Sequence, residues 1–176
     1  RKDKLCAELA AGAPSMIGGS GACPRWIHPN ADMAGYYRFA LPPKDLAALA
    51  KIAPTLDAAA RMSILSNQWA QVRVGRLDPD VALRTLPAFD RDTDRHVVDA
   101  VIENLREIDE ALVEESVRPA FRAYVVARLA WQKKRVGWGP PKGSSPEEDD
   151  LALLRQSVLR AMVDLGGDEA TMREAE

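Results

Sequence analysis

The chain reads as a mainly α protein, a superhelical stack of antiparallel helix pairs preceded by a few short β-strands. Three observations predict it. Apolar spacing changes from two to roughly 3.6 residues at Pro42-Pro43. Links between the later helical stretches are short, apart from Trp138–Ser144, and short links favour antiparallel neighbours. A weak internal echo pairs Arg61-Met-Ser-Ile-Leu65 ahead of Gly75 with Arg155-Gln-Ser-Val-Leu159 ahead of Gly166, as stacked helix pairs would produce.

The first 41 residues read as strand and turn. Lys4–Leu9 is a short strand candidate. Gly12, Pro14, Gly18, Gly19 and Gly21 then favour loops and tight turns. Arg25–His28 is a second candidate and Met33–Leu41 the third. In the third, period two puts Tyr37, Phe39 and Leu41 on one face and Tyr36 and Arg38 on the other. About three such strands need cover to be stable. Residues 1–41 are therefore expected to end a β-sandwich-like element or else to pack on the helices, with 42–176 forming an α-helical repeat domain, truncated at its end.

Pro42-Pro43 ends the strand and opens the helices. Leu46, Leu49 and Ala53 begin the first. Leu65, Trp69 and Val72 mark a second, expected from Thr55 to Val74 and stopped by Gly75. Asp78-Pro79 is a cap followed by proline at the first helical position, starting a third helix that runs through Leu86. Val98, Val101, Ile102, Leu105, Ile108 and Leu112 draw the stripe of a fourth. Val117, Phe121, Tyr124, Val125 and Arg128 belong to a fifth, tolerating Pro119 only in its first turns and ending near Gly137. Ser145-Pro-Glu-Glu148 is a capping box for a sixth, striped by Leu151, Leu154, Val158, Met162 and Leu165. Gly166-Gly167 ends it, and Asp168 caps a last helix.

The charge balance, 24 basic against 26 acidic side chains, gives no reason to expect nucleic acid or an anionic membrane as partner. No apolar run approaches the roughly 20 residues that cross a bilayer. Cys6 and Cys23 leave two alternatives: a bridge pinning a weak β element, or two buried free thiols. The compartment stays open with them, and a bridge favours export.

The sequence assigns no catalytic, cofactor-binding or metal-ligating residue. A catalytic zinc site takes about three protein ligands and a structural one four. The two histidines, His28 and His96, have no partner at helical spacing. His28, beside Pro29, reads as a surface or packing residue, and His96 as facing water. Ser20 in Gly18-Gly-Ser-Gly21 lacks the spacing of a nucleophile elbow, and no Walker-type lysine accompanies that loop. Glu103/Glu107, Asp109/Glu110, Glu114/Glu115 and Glu147–Asp150 sit in polar stretches and read as solvated helix faces. Gln132-Lys-Lys-Arg135 falls at a helix end, where positive charge suits the dipole. The tryptophans, Trp26, Trp69, Trp131 and Trp138, read mostly as packing anchors. Trp131 and Trp138 flank the basic run, where an exposed aromatic marks a contact surface.

One block carries a resemblance. Trp26 is followed by a Pro29-Asn30 turn and by Gly35-Tyr36-Tyr37-Arg38-Phe39. This resembles the entry to the C-terminal helical domain (ERAP1-like, ARM/HEAT-like) of M1-family zinc aminopeptidases of the aminopeptidase N kind. There, a Trp-x-x-x-Asn turn leads to a Gly-Tyr-Tyr-Arg strand. Leu56–Ala60, Arg61–Ala70 with Gly75-Arg-Leu77, Gly137-Trp138, Leu154-Arg155 and Gly167-Asp168 are similar in order and spacing. The similarity spans roughly 24–176. It departs at Asn67, where the family commonly has Asp. The family's His-Glu-x-x-His helix and Gly-x-Met-Glu-Asn strand have no counterpart here.

The resemblance implies a non-catalytic, truncated helical domain that caps the active-site cavity of a parent M1-like zinc metallo-aminopeptidase and shapes peptide access. Zinc then belongs to the parent and not to this chain. The implied partners are the rest of the parent peptidase and, through the whole enzyme, peptide substrates. Basic side chains among Arg61, Arg106, Arg122 and Arg128 are candidates for attracting a peptide carboxylate, with surface pairing to Glu as the plainer alternative. Self-association of the isolated piece is expected if apolar end faces are uncapped. The competing reading is a stand-alone helical-repeat scaffold for protein interaction.

Overall fold

The computed structural model describes residues 6–7, 12, 23–140 and 149–176. Among them are seven α-helices: α1 (Pro43–Ile52), α2 (Ala58–Arg73), α3 (Pro79–Thr85), α4 (Arg95–Leu112), α5 (Arg118–Val136), α6 (Asp149–Asp164) and α7 (Glu169–Ala175). Three short 3-10 turns, Ala31–Met33, Ala53–Thr55 and Leu86–Phe89, complete the regular structure.

No β-strand occurs among the described residues, which corrects the expectation for Arg25–His28 and Met33–Leu41. The candidate Lys4–Leu9 and the glycine-rich stretch after it lie almost wholly outside the described residues. The physical reason is the lack of a ladder partner among the described residues, because strand pairing needs a second backbone within hydrogen-bonding reach. Residues 34–42 cross α2 instead, and a side chain stands in for a strand: the Phe39 amide donates to Asn67 Oδ1 at 3.0 Å. The period-two pattern survives without a sheet at four of its five positions. Phe39 is buried and Leu41 half-buried against the core, while Tyr36 and Arg38 face water. Tyr37 departs from its face, exposed and tied by its hydroxyl to the Pro29 carbonyl at 2.6 Å.

The preceding turn is built around Asn30. Its side chain donates to Gly35 O at 2.8 Å and accepts from Gly35 N at 2.9 Å, closing the loop as a paired backbone would. A Cβ on Gly35 would lie 2.0 Å from the Tyr37 ring, so this sequence needs glycine at that point.

Helix starts follow local chemistry. Pro43 lies in the first turn of α1, where its missing N–H costs nothing. Pro54 turns the chain into 3-10 geometry, so α2 starts at Ala58 rather than Thr55, with Asp57 accepting from Ala60 N at 2.8 Å. Pro79 opens α3 with Asp78 at the cap position, although the expected side-chain cap bond is not made, and Pro87 ends it by forcing the Leu86–Phe89 turn. Asp94 caps α4 through the amides of His96 and Val97. Pro119 occupies the first turn of α5, the place it tolerates. The capping box at Ser145–Glu148 lies outside the described residues. After α6, the amides of Gly166 and Asp168 return to Ala161 O and Met162 O. A Cβ on Gly166 would sit 2.7 Å from Met162 O, so the tight exit requires glycine.

The core is one continuous cluster drawing on every helix up to α6. α2 packs on α4, α4 on α6, and α6 also on α5. α4 contributes the expected stripe of Val98, Val101, Ile102, Leu105 and Ile108, joined by Val97, while Leu112 is exposed. α2 is different: besides Ile64, Leu65, Trp69 and Val72 it buries Ser63, Asn67 and Gln68. It lies between α4 and the entry turn, so more than one of its faces is covered.

Candidate functional site

Each polar group singled out in the sequence has a place in this framework. His28 is half-buried, its Nε2 3.3 Å from Ala60 O and its ring edge-on to Phe39. His96 is exposed. Cys6 and Cys23 are free and exposed, so the structure holds neither the bridge nor the buried thiols. Among the described residues no group of three or more His, Cys, Asp or Glu side chains is disposed to hold a metal ion. These donors do not fit a zinc centre: the two histidines stand apart, each without companion ligands. Ser20 and Glu147 lie outside the described residues.

The acidic pairs are mostly engaged with neighbours. Glu103 pairs with Arg106 at 2.8 Å, and Glu107 accepts from the Trp69 indole. Asp109 and Glu115 both hold Arg118. Asp150 meets Arg95 at 3.0 Å.

The most organised polar cluster grips the 90–94 link between the Leu86–Phe89 turn and α4. Tyr124, Arg128, Gln132 and Arg135 follow at helical spacing along one face of α5. Tyr124 donates its hydroxyl to Leu83 O at 2.5 Å. Burial pushes that hydroxyl up to about 12, so it stays a neutral donor. Gln132, almost fully buried, donates to Asp90 O at 3.1 Å and Asp92 O at 2.8 Å. Arg135 reaches Thr93 O at 3.2 Å and lies over the Trp131 ring. From α2, Arg61 pairs with Asp92 at 2.6 Å and donates to Leu56 O.

Within this clamp, Arg128 Nη1 lies 2.9 Å from Asp90 Oδ2, and its guanidinium is over the Tyr124 ring. The pair is close but poorly aligned: Asp90 Oδ1 and Arg128 Nε and Nη1 are buried without a hydrogen bond. Desolvation of Asp90 outweighs the attraction of Arg128 and Arg91, and its carboxyl rises to about 6.

The four candidate arginines differ in their surroundings. Arg61, Arg106 and Arg128 are committed to Asp92, Glu103 and Asp90. Arg122 is exposed and without an ion pair among the described residues; it lies beside Gly167. Of the two tryptophans near the basic run, Trp131 is half-buried under Arg135. Trp138 is 46% exposed, its indole donating to Glu174 at 2.6 Å. That hydrogen bond, and then Lys133, hold the Glu174 carboxyl below its ordinary value. Asp168 is lowered too, first by the Thr171 hydroxyl and then by Lys133.

Sequence reasoning placed Tyr124 and Arg128 in a helix but missed the clamp. Its signal is present as the polar positions Tyr124, Arg128, Gln132 and Arg135 at i, i+4, i+8 and i+11. What they grip is set by a link some 40 residues earlier, which no local pattern announces.

Fold and polar framework together define a helical protein whose ordered polar clusters join elements of the fold. Residues 26–176 match the ERAP1-like C-terminal domain, and the chain belongs to that family. No curated protein and no solved structure matches the chain.

Proposed function

We propose that this domain is the non-catalytic C-terminal part of an M1-like zinc aminopeptidase. In this reading it caps the active-site cavity and shapes the access of peptides. The observation that carries it is the family match, which spans all seven helices and the entry turn at Trp26–Asn30. The packing of α2 on α4 and of α4 on α6 supports a superhelical, ARM/HEAT-like stack of helix pairs, the shape suited to a cavity wall. Zinc and the groups that activate its water would come from the remainder of the parent, where the metal supplies the nucleophile. Of the four candidate arginines, Arg122, exposed and without an ion pair among the described residues, would meet a peptide's C-terminal carboxylate.

The coding sequence upstream of Arg1 tests the reading. A His-Glu-x-x-His signature there supports a peptidase, and a start codon directly before Arg1 supports a stand-alone scaffold. The purified 176-residue chain is expected to leave aminoacyl reporter substrates intact. Zinc-dependent turnover by that chain alone would overturn the assignment. In the whole parent, Arg122→Ala is expected to raise KM for peptides while sparing small reporters; unchanged peptide KM removes Arg122 from the access role.

A further inference from the structure

We propose that one buried water molecule is a fixed part of this domain, bridging Gln68 and Gln71 of α2 where residues 39–41 cross that helix. A half-open pocket with about 20 Å³ of room lies there, with Phe39, Leu41 and Leu77 among its apolar walls and Asn67, Gln68, Gln71 and Arg76 among its polar ones. The volume suits one water, which needs about one probe sphere of 10–15 Å³ and two to four polar partners.

The partners are oriented for it. Gln68 is 3% exposed, and its Oε1 accepts from the Thr85 hydroxyl. In this orientation of the amide Oε1 faces Thr85, whose hydroxyl also reaches Ala82 O at 2.7 Å. Nε2 is buried with no protein partner, and Gln71 Oε1, three residues along, is a buried acceptor in the same condition. An orphaned donor and an orphaned acceptor lining one cavity are what a single water satisfies, accepting from one and donating to the other. Asn67 supplies a third position, because its Oδ1 takes one hydrogen bond from Phe39 N and keeps a second lone pair. The water thus completes the joint that Asn67 begins, fastening the entry segment to α2 and, through Gln68 and Thr85, to α3.

A high-resolution crystal structure of the 176-residue chain tests this, together with water-to-amide nuclear Overhauser measurements in solution. The expected result is one ordered water about 2.9 Å from both Gln68 Nε2 and Gln71 Oε1. A cross-peak from the Gln68 amide protons to long-lived water should accompany it and disappear in Gln71→Leu. A dry cavity, an ion in place of water, or a direct Gln68–Gln71 hydrogen bond would overturn the proposal, as would a cross-peak that survives in the variant. The two wild-type measurements decide the question even where Gln71→Leu fails to fold.

Discussion

Asn67 shows how one side chain can replace a strand. Its Oδ1 holds Phe39 N, and its Nδ2 donates to Ser63 O at 2.8 Å, all in a site 4% exposed. Asn67→Leu keeps the branched shape but strands the Phe39 amide, and leaving a buried donor bare costs about 1–3 kcal/mol. Urea denaturation should show a loss of that size; a loss near zero would mean that the amide finds water. Asp90 makes a prediction of opposite character. Its carboxyl is raised to about 6 in the folded chain, above the ordinary 3.8, so the folded state binds the proton more tightly than the unfolded one. Its contribution to stability is complete below about pH 4 and is lost as pH rises through about 6. Asp90→Asn should flatten that part of the stability–pH curve, and an unchanged slope between those values would show that Asp90 titrates normally.

At the scale of elements, α5 holds the chain ahead of it by its polar face as well as by packing. Gln132 satisfies two main-chain carbonyls in the 90–94 link. Gln132→Met preserves length and removes both donors, so a loss of about 1–3 kcal/mol is expected. Hydrogen exchange should quicken first at the amides of Asp92 and Asp94, which are bonded within that link. Uniform quickening over the whole chain would count against a local clamp. The internal echo gains a structural counterpart here. Arg61 donates to Leu56 O, and Arg155 Nε is bonded to Val136 O at 3.0 Å and Gly137 O at 3.2 Å. Each arginine therefore ties its helix to carbonyls at the end of the preceding segment.

For the whole molecule, one continuous apolar cluster runs from Leu46 to Leu165. Contiguous cores favour cooperative unfolding. Trp69 of α2, buried with its indole donating to the Glu107 carboxylate of α4, is a reporter of that core, and far-UV circular dichroism reports the helices. Their urea transitions should coincide. Two separated midpoints would mean that the helices form at least two independently melting units.

Much of this architecture is local chemistry and was legible as such. Prolines at helix starts, Asp168 as a cap and glycines at helix exits place the helices within a few residues, because each acts on backbone groups beside it; the caps at Asp57 and Asp94 went unread, and Asp78, read as one, makes no side-chain cap bond. The α4 stripe is equally plain, since one buried face leaves a clean periodicity. Tertiary structure alone decided the rest. The period-two pattern at 36–41 was read as a strand because extended backbone alternates its side chains whether or not a partner exists; α2, not a sheet, receives it. The polar residues of α2 and the grip of α5 on a distant link were equally hidden. Their partners lie 17 to 42 residues away, and only the folded chain brings those groups within reach of one another.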